Sequence, residues 1–161
     1  MLLVSPHVIS AVSRFVKNMR FVIPTELLPK LRELQSKQHF SDEIVDSEDA
    51  VVMTLGLGAA RYLTFDGRVI IHDYMADEPP REAKDATEMY SAVVVGAKQR
   101  NAPEILSLLP SRPETAIDCA ACENSGWLVF GADAPEPLKI ICSECGGVGW
   151  KGGDEHLFEV A

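Results

Sequence analysis

The sequence predicts an α+β protein. A helical and β-hairpin N-terminal domain spans 1–113, a small ribbon-like β-hairpin module spans 114–153, and an acidic C-terminal tail spans 154–161. Three observations predict this. Apolar residues recur at helical spacing over 5–20, 29–38 and 82–100. Apolar runs flank Asp66-Gly67 in the middle of the chain. The four cysteines fall near the end, in two Cys-x-x-Cys pairs. At 161 residues there is room for one domain plus a small module. An apolar fraction of 47% is that of an ordinary globule.

Each element has its own justification. Over 5–20, Ser5 is placed to cap a helix with Pro6 at its first position, and Val8, Val12, Phe15 and Met19 share one face. Over 29–38, Pro29 opens a second helix with Leu31 and Leu34 inward. An acidic connection, 40–49, follows. Residues 51–57 are apolar and β-branched until Gly56 and Gly58 stop them. Residues 60–65 and 68–74 flank Asp66-Gly67, a pair suited to a type I′ turn with positive φ at both centres. After Pro79-Pro80, residues 82–100 predict a long helix with Ala86, Met89, Tyr90, Val93 and Ala97 on one face. A short helix over 103–109 ends at Pro110, and 111–115 link into the last module. There, 127–130 and 138–141 read as two strands joined by 131–137. The tail carries Leu157, Phe158 and Val160, apolar residues suited to docking on the body.

The cysteines carry the clearest chemistry. They read Cys119-Ala-Ala-Cys122 and Cys142-Ser-Glu-Cys145, with nineteen residues between the pairs and no cysteine left over. Each Cys-x-x-Cys turn sets two sulfurs on one side of a tight loop. Two such loops face to face supply four thiolates in a tetrahedron, the closed set of one structural zinc ion. The pairs continue as Cys122-Glu123-Asn124-Ser125-Gly126-Trp127 and Cys145-Gly146-Gly147-Val148-Gly149-Trp150. Both fit C-x2-C-x-(G/N)-x-G-W. A metal knuckle turns amide groups toward the sulfurs, which needs positive φ, and glycine and then asparagine tolerate it best. A module of about forty residues has too little core to fold alone, so metal is expected to decide its folding.

Other chemistries fit less well. A rubredoxin-like iron site favours glycine directly after each second cysteine; Gly146 complies and Glu123 does not. A thioredoxin-like pair starts a helix, whereas these lead into glycine and tryptophan. Two disulfides imply export. The opening Met1–Pro6 is too short for a signal-peptide core.

The repeated unit resembles the cysteine-rich zinc finger of DnaJ-type co-chaperones, C-x2-C-x-G-x-G. Cys142, Cys145, Gly147 and Gly149 match it in full; Cys119, Cys122 and Gly126 match, and Asn124 departs. The family carries four units and two zinc ions, and this chain has two units, enough for one. The resemblance covers only 119–149. No His-Pro-Asp tripeptide occurs, so the chain lacks the J-domain signature. The resemblance identifies a module and not a pathway.

Charge bounds the partners. The net charge is −9. Residues 114–161 hold nine acids against Lys139 and Lys151, whereas 1–40 carry six lysines and arginines against two acids. Phosphates require basic side chains, so nucleic acid is disfavoured at the module and a basic protein partner suits it. No apolar run is long enough for a membrane span. Arg14, Lys17 and Arg20 precede the first acid, Glu26, as in a transit segment, but a packed helix explains 5–20 more simply.

Catalytic signatures are lacking: no phosphate-binding glycine loop, no H-E-x-x-H and no G-x-S-x-G. His72-Asp73, near Asp66, offers a small polar cluster or an exposed strand face; His7, His39 and His156 stand alone in sequence. We therefore expect a non-enzymatic, cytoplasmic zinc-binding protein that acts through protein–protein contacts as an adaptor, chaperone-like factor, inhibitor or immunity protein. Catalytic residues: none; metal ligands: Cys119, Cys122, Cys142 and Cys145. The alternatives are a nucleic-acid-associated regulator using the basic N-terminal helices, and an enzyme with a dispersed site near His72 and Asp73.

Overall fold

Near-continuous apolar runs between 50 and 73, buried on both faces, build the central sheet. The computed structural model describes residues 19–37, 49–56 and 58–152, and the backbone of 159–160. Three strands form a meander: β2 (Ala50–Gly56), β3 (Ala59–Thr64) and β4 (Val69–Asp73), with a fourth, β5 (Arg81–Glu82), on the edge. All pairings are antiparallel, with Val51 opposite Leu63 and Tyr62 opposite Ile70. Alternation then sorts the side chains. Val51, Met53, Leu63, Val69 and Ile71 join the main core, while Ala50, Val52, Ala60, Tyr62 and Ile70 form a second buried cluster.

Two helices cover the main-core face. Helix α1 (Leu28–Ser36) follows a 3-10 turn, Thr25–Leu27, and buries Leu31 and Leu34 as their spacing predicts. Helix α2 (Ala86–Gln99) buries Met89, Tyr90, Ala92, Val93 and Ala97. A second 3-10 segment, Pro103–Leu108, adds Ile105 and Leu108. Arg100, just beyond α2, ties these parts together. Its guanidinium donates to the carbonyls of Leu34 and Val52, each at 2.7 Å. The first lies in the last turn of α1, where a cation complements the helix dipole; the second flanks a β-bulge between Val52 and Thr54.

Several boundaries differ from expectation. Met19–Arg20 do not end a helix but form β1, paired with β10 (Glu159–Val160). The buried Phe21 donates its N–H to the Gly67 carbonyl at 2.8 Å and holds this stretch extended. Helix α2 starts at Ala86 rather than 82, because Arg81–Glu82 pair with Ile71 and Ile70 and the Asp85 side chain caps the Glu88 N–H. The 103–109 helix is a 3-10 segment. The Asp66-Gly67 turn is not type I′: only Gly67 has positive φ, at 94°, and its N–H bonds the Thr64 carbonyl. A three-residue loop with glycine in the left-handed position fits the twist equally well. Residues 5–18 of the first expected helix, 40–48 of the acidic connection, 153 of the module and 154–158 and 161 of the tail, with Leu157 and Phe158, lie outside the described residues, as do His7, His39 and His156. Among the described residues no helix is long and apolar enough to cross a membrane.

The start of α2 generates a test. Glu88 accepts two bonds from the Arg81 guanidinium, at 2.9 and 2.8 Å, and one from the Lys84 N–H at 2.9 Å. Burial alone raises its pKa, but these bonds and the neighbouring positive charges outweigh burial and hold the carboxyl below its ordinary range. A lowered folded pKa adds stability above the unfolded value, about 4.3, and that stability is lost as pH falls through the folded value. Glu88→Gln should cost about 1 kcal/mol near neutral pH, given the half-exposed Arg81. It should also flatten the acid limb of a urea-denaturation series; an unchanged limb would show that the pair contributes nothing.

Candidate metal centre

The four cysteines expected as ligands come together at one point. Their sulfurs all lie within 4.8 Å of one another, and all four residues are buried. Cys119 and Cys142 sulfurs are 3.8 Å apart, as are those of Cys122 and Cys145. A tetrahedron with Zn–S of about 2.3 Å has edges of about 3.8 Å. A disulfide needs about 2.05 Å, and all four thiols are free. The set fits a single structural zinc ion. With four protein ligands buried together, no coordination position is left for substrate.

Backbone geometry explains the sequence around the ligands. Strands β7 (Trp127–Phe130) and β8 (Leu138–Ile141) fall where predicted and pair in register Trp127 with Ile141. Two shorter strands, β6 (Ile117–Asp118) and β9 (Trp150–Lys151), pair at the other side. The two knuckles then clasp each other. Cys119 N–H donates to the Gly149 carbonyl and Cys142 N–H to the Gly126 carbonyl, each at 2.9 Å. Gly126 N–H points at the Cys122 sulfur at 3.2 Å, and Gly149 N–H at the Cys145 sulfur at 3.3 Å.

Positive φ occurs at matching offsets in both knuckles: Glu123 (51°) with Gly146 (68°), Asn124 (69°) with Gly147 (101°), and Gly126 (85°) with Gly149 (87°). The third pair must also be glycine for space. A Cβ on Gly126 would lie 2.2 Å from the Gly147 carbonyl oxygen, and one on Gly149 would lie 2.5 Å from that of Asn124. The first pair differs for another reason. Gly146 faces α2, where a Cβ would meet the Thr87 carbonyl oxygen at 2.4 Å, whereas Glu123 is exposed. The mismatch that weighs against iron in the sequence thus reflects the neighbouring helix and not the metal.

Both tryptophans meet α2. Trp150 is only 8% exposed, belongs to the main core and packs against Tyr90 at 5.8 Å between ring centroids. Lys98, about two turns along, sets its ammonium over the Trp127 ring at 4.7 Å, a cation–π contact. Sequence repetition alone does not reveal that these rings contact the body.

The buried sulfurs are not alike. Burial pushes the Cys145 thiol up to about 12, so a proton competes with metal at this sulfur, whereas at Cys122 burial is outweighed by the Gly126 N–H and the neighbouring cysteines, which bring it down to about 7. A bound metal ion reverses the preference at Cys145, because a coordinating thiol is deprotonated outright.

The remaining candidates are separated. Asp66 sits at the β3–β4 turn, held by the Thr64 hydroxyl and the Arg68 side chain. His72 and Asp73 lie at the far end of β4, with Asp73 opposite Ala59. The His72 ring meets Tyr74 edge-on at 5.9 Å, and the Asp73 carboxylate accepts the N–H groups of Met75 and Ala76. The structure therefore does not bring His72 and Asp73 to Asp66.

Fold and site together define the class: an α+β chain with one four-cysteine structural zinc site. Comparison with known protein families, curated proteins and solved structures gives no match.

Protein purified without added metal should contain about one zinc per chain, measured by elemental analysis. Cys145→Ser should lose it, and should also shift tryptophan fluorescence to longer wavelength as Trp150 leaves Tyr90. An unchanged spectrum would mean that Trp150 stays in the core without metal. Gly149→Val should lower stability by about 1–3 kcal/mol for backbone strain alone, with further loss from the clash. Ser143→Ala should change thermal unfolding little, since Ser143 is exposed. Equal melting of the two would remove the argument from Gly149.

Proposed function

We propose that this chain is a non-enzymatic zinc-finger protein that works by binding a protein partner. The closed, buried four-cysteine set carries the reading, because a metal with no open position shapes a surface rather than performing chemistry. Charge supports a basic partner. Among the described residues of the module, Glu123, Asp133 and Glu136 have no ion pair, whereas Asp118 pairs with Arg112 and Glu144 with Lys151. Four thiolates on one divalent ion add further negative charge. The knuckles are read as DnaJ-type units without a J-domain, in a cytoplasmic protein with an adaptor, chaperone-like or inhibitor role.

The test is chemical crosslinking in native lysate, with and without nuclease. A protein adduct that survives nuclease supports the proposal. Complementary charges steer encounter most at low salt, so the adduct should weaken as salt rises. It should weaken again in a triple variant, Glu136→Gln, Asp154→Asn and Glu155→Gln. Sub-micromolar binding of nucleic acid, lost in Cys142→Ser, would favour the nucleic-acid-associated regulator instead.

A further inference from the structure

Ten large apolar side chains stand exposed among the described residues, and four of them, Val129, Phe130, Leu138 and Ile140, lie on the β7–β8 hairpin. A soluble surface seldom concentrates them so closely without a use. Register decides how they are arranged. Phe130 is opposite Leu138, and Leu128 is opposite Ile140. Paired residues share a face, and alternate residues along a strand return to it. One face therefore reads Leu128, Phe130, Leu138, Ile140. At its base Leu128 packs on the cysteine cluster. Its outer part is open: Phe130 is 54%, Leu138 59% and Ile140 44% exposed.

The base of the other face is turned toward the body, while Val129 and Lys139 farther out on it are exposed. Trp127 lies under Lys98, and Ile141 reaches Gly147 beside Val94 of α2. The hairpin pairs with no third strand among the described residues. On β8, Leu138, Lys139 and Ile140 are all exposed, while β7 is half-covered at Trp127 and Leu128. On β7 the Trp127 N–H and carbonyl both bond the Ser125 hydroxyl, so the β8 edge is the more open one and a template for an added strand.

Charge selects the occupant. The hairpin tip, 131–137, carries Asp133 and Glu136 beside Phe130 and Leu138, with no ion pair to either acid among the described residues. A second copy would bring the same acids and another net −9 to the contact. We propose, on the basis of the protein-binding function above, that the β8 edge and the Phe130–Leu138–Ile140 face receive an extended segment of a partner protein. Its apolar side chains alternate along the segment, and lysine or arginine stands at the end that meets Asp133 and Glu136. Main-chain bonds along β8 hold the segment, the apolar face selects alternate side chains, and the acidic tip sets its direction.

The test uses the zinc-loaded full chain and three short synthetic peptides in isothermal titration. One alternates leucine with serine and ends in lysines; the second replaces those lysines with glutamates; the third keeps the lysines and replaces the leucines with serine. The first should bind, and the other two should bind at least about tenfold more weakly, the scale of losing a binding anchor. Phe130→Ser/Leu138→Ser, checked for zinc content and unchanged melting, should weaken the first peptide by about the same factor. Asp133→Asn/Glu136→Gln should narrow the gap between the lysine and glutamate peptides. Equal binding by the parent and the Phe130→Ser/Leu138→Ser variant would overturn the placement and leave protein binding standing. Self-association lost in that variant would assign the face to a second copy. Failure of all three peptides would overturn this inference, while the crosslinking experiment still decides the wider function.

Discussion

The mutual clasp of the two knuckles is the constraint on which the C-terminal third depends. Each knuckle must curl through left-handed backbone conformations to aim an amide at a sulfur, and each must let the other's carbonyl approach within contact of its glycine Cα. Cys119 and Cys142 then donate their N–H groups to the carbonyls of Gly149 and Gly126. The sulfurs are gathered by main-chain bonds as well as by the metal they fit. Strands β7 and β8 leave the clasp in register because their starting points are already set.

Helix α2 transmits that order to the rest of the molecule. One set of its side chains, Met89 and Val93, faces the sheet, while Tyr90 and Lys98 receive Trp150 and Trp127. Trp150 therefore belongs to the body's core by packing and to the metal module by sequence. A module of this size buries little of its own apolar surface, and the helix supplies what it lacks. In the other direction, Arg100 at the end of α2 secures α1 and the β2 bulge through two carbonyls. The fold is a chain of dependencies that runs through one helix.

What could be read from the sequence follows the range of the interactions involved. The ligands, the glycine offsets and the β7–β8 strands are local patterns, and they stand where spacing and alternation put them. Leu31 and Leu34 are inward for the same reason. The start of α2 is less legible because Glu82 and Ala83 are acceptable in a helix; the pairing of Glu82 with Ile70 and the bond from the Ala83 N–H to the Val69 carbonyl are tertiary choices that outweigh propensity. The two-residue strands β1, β6, β9 and β10 have no signature of their own, since each exists only through a partner distant in sequence. The turn at Asp66-Gly67 is legible in the sequence, but its type is set by the Thr64 and Phe21 bonds around Gly67.

The helix against Gly146 has a consequence for how the two halves can drift apart. Both halves keep the same backbone path, yet one is shielded and the other is bathed in water. At the shielded half only the smallest residue fits beside Thr87, while at the open half a glutamate is accommodated in the same conformation. Symmetry of shape therefore does not impose symmetry of spelling. Substitutions can thus change the residues of the outer half while the backbone that gathers the four sulfurs keeps its path.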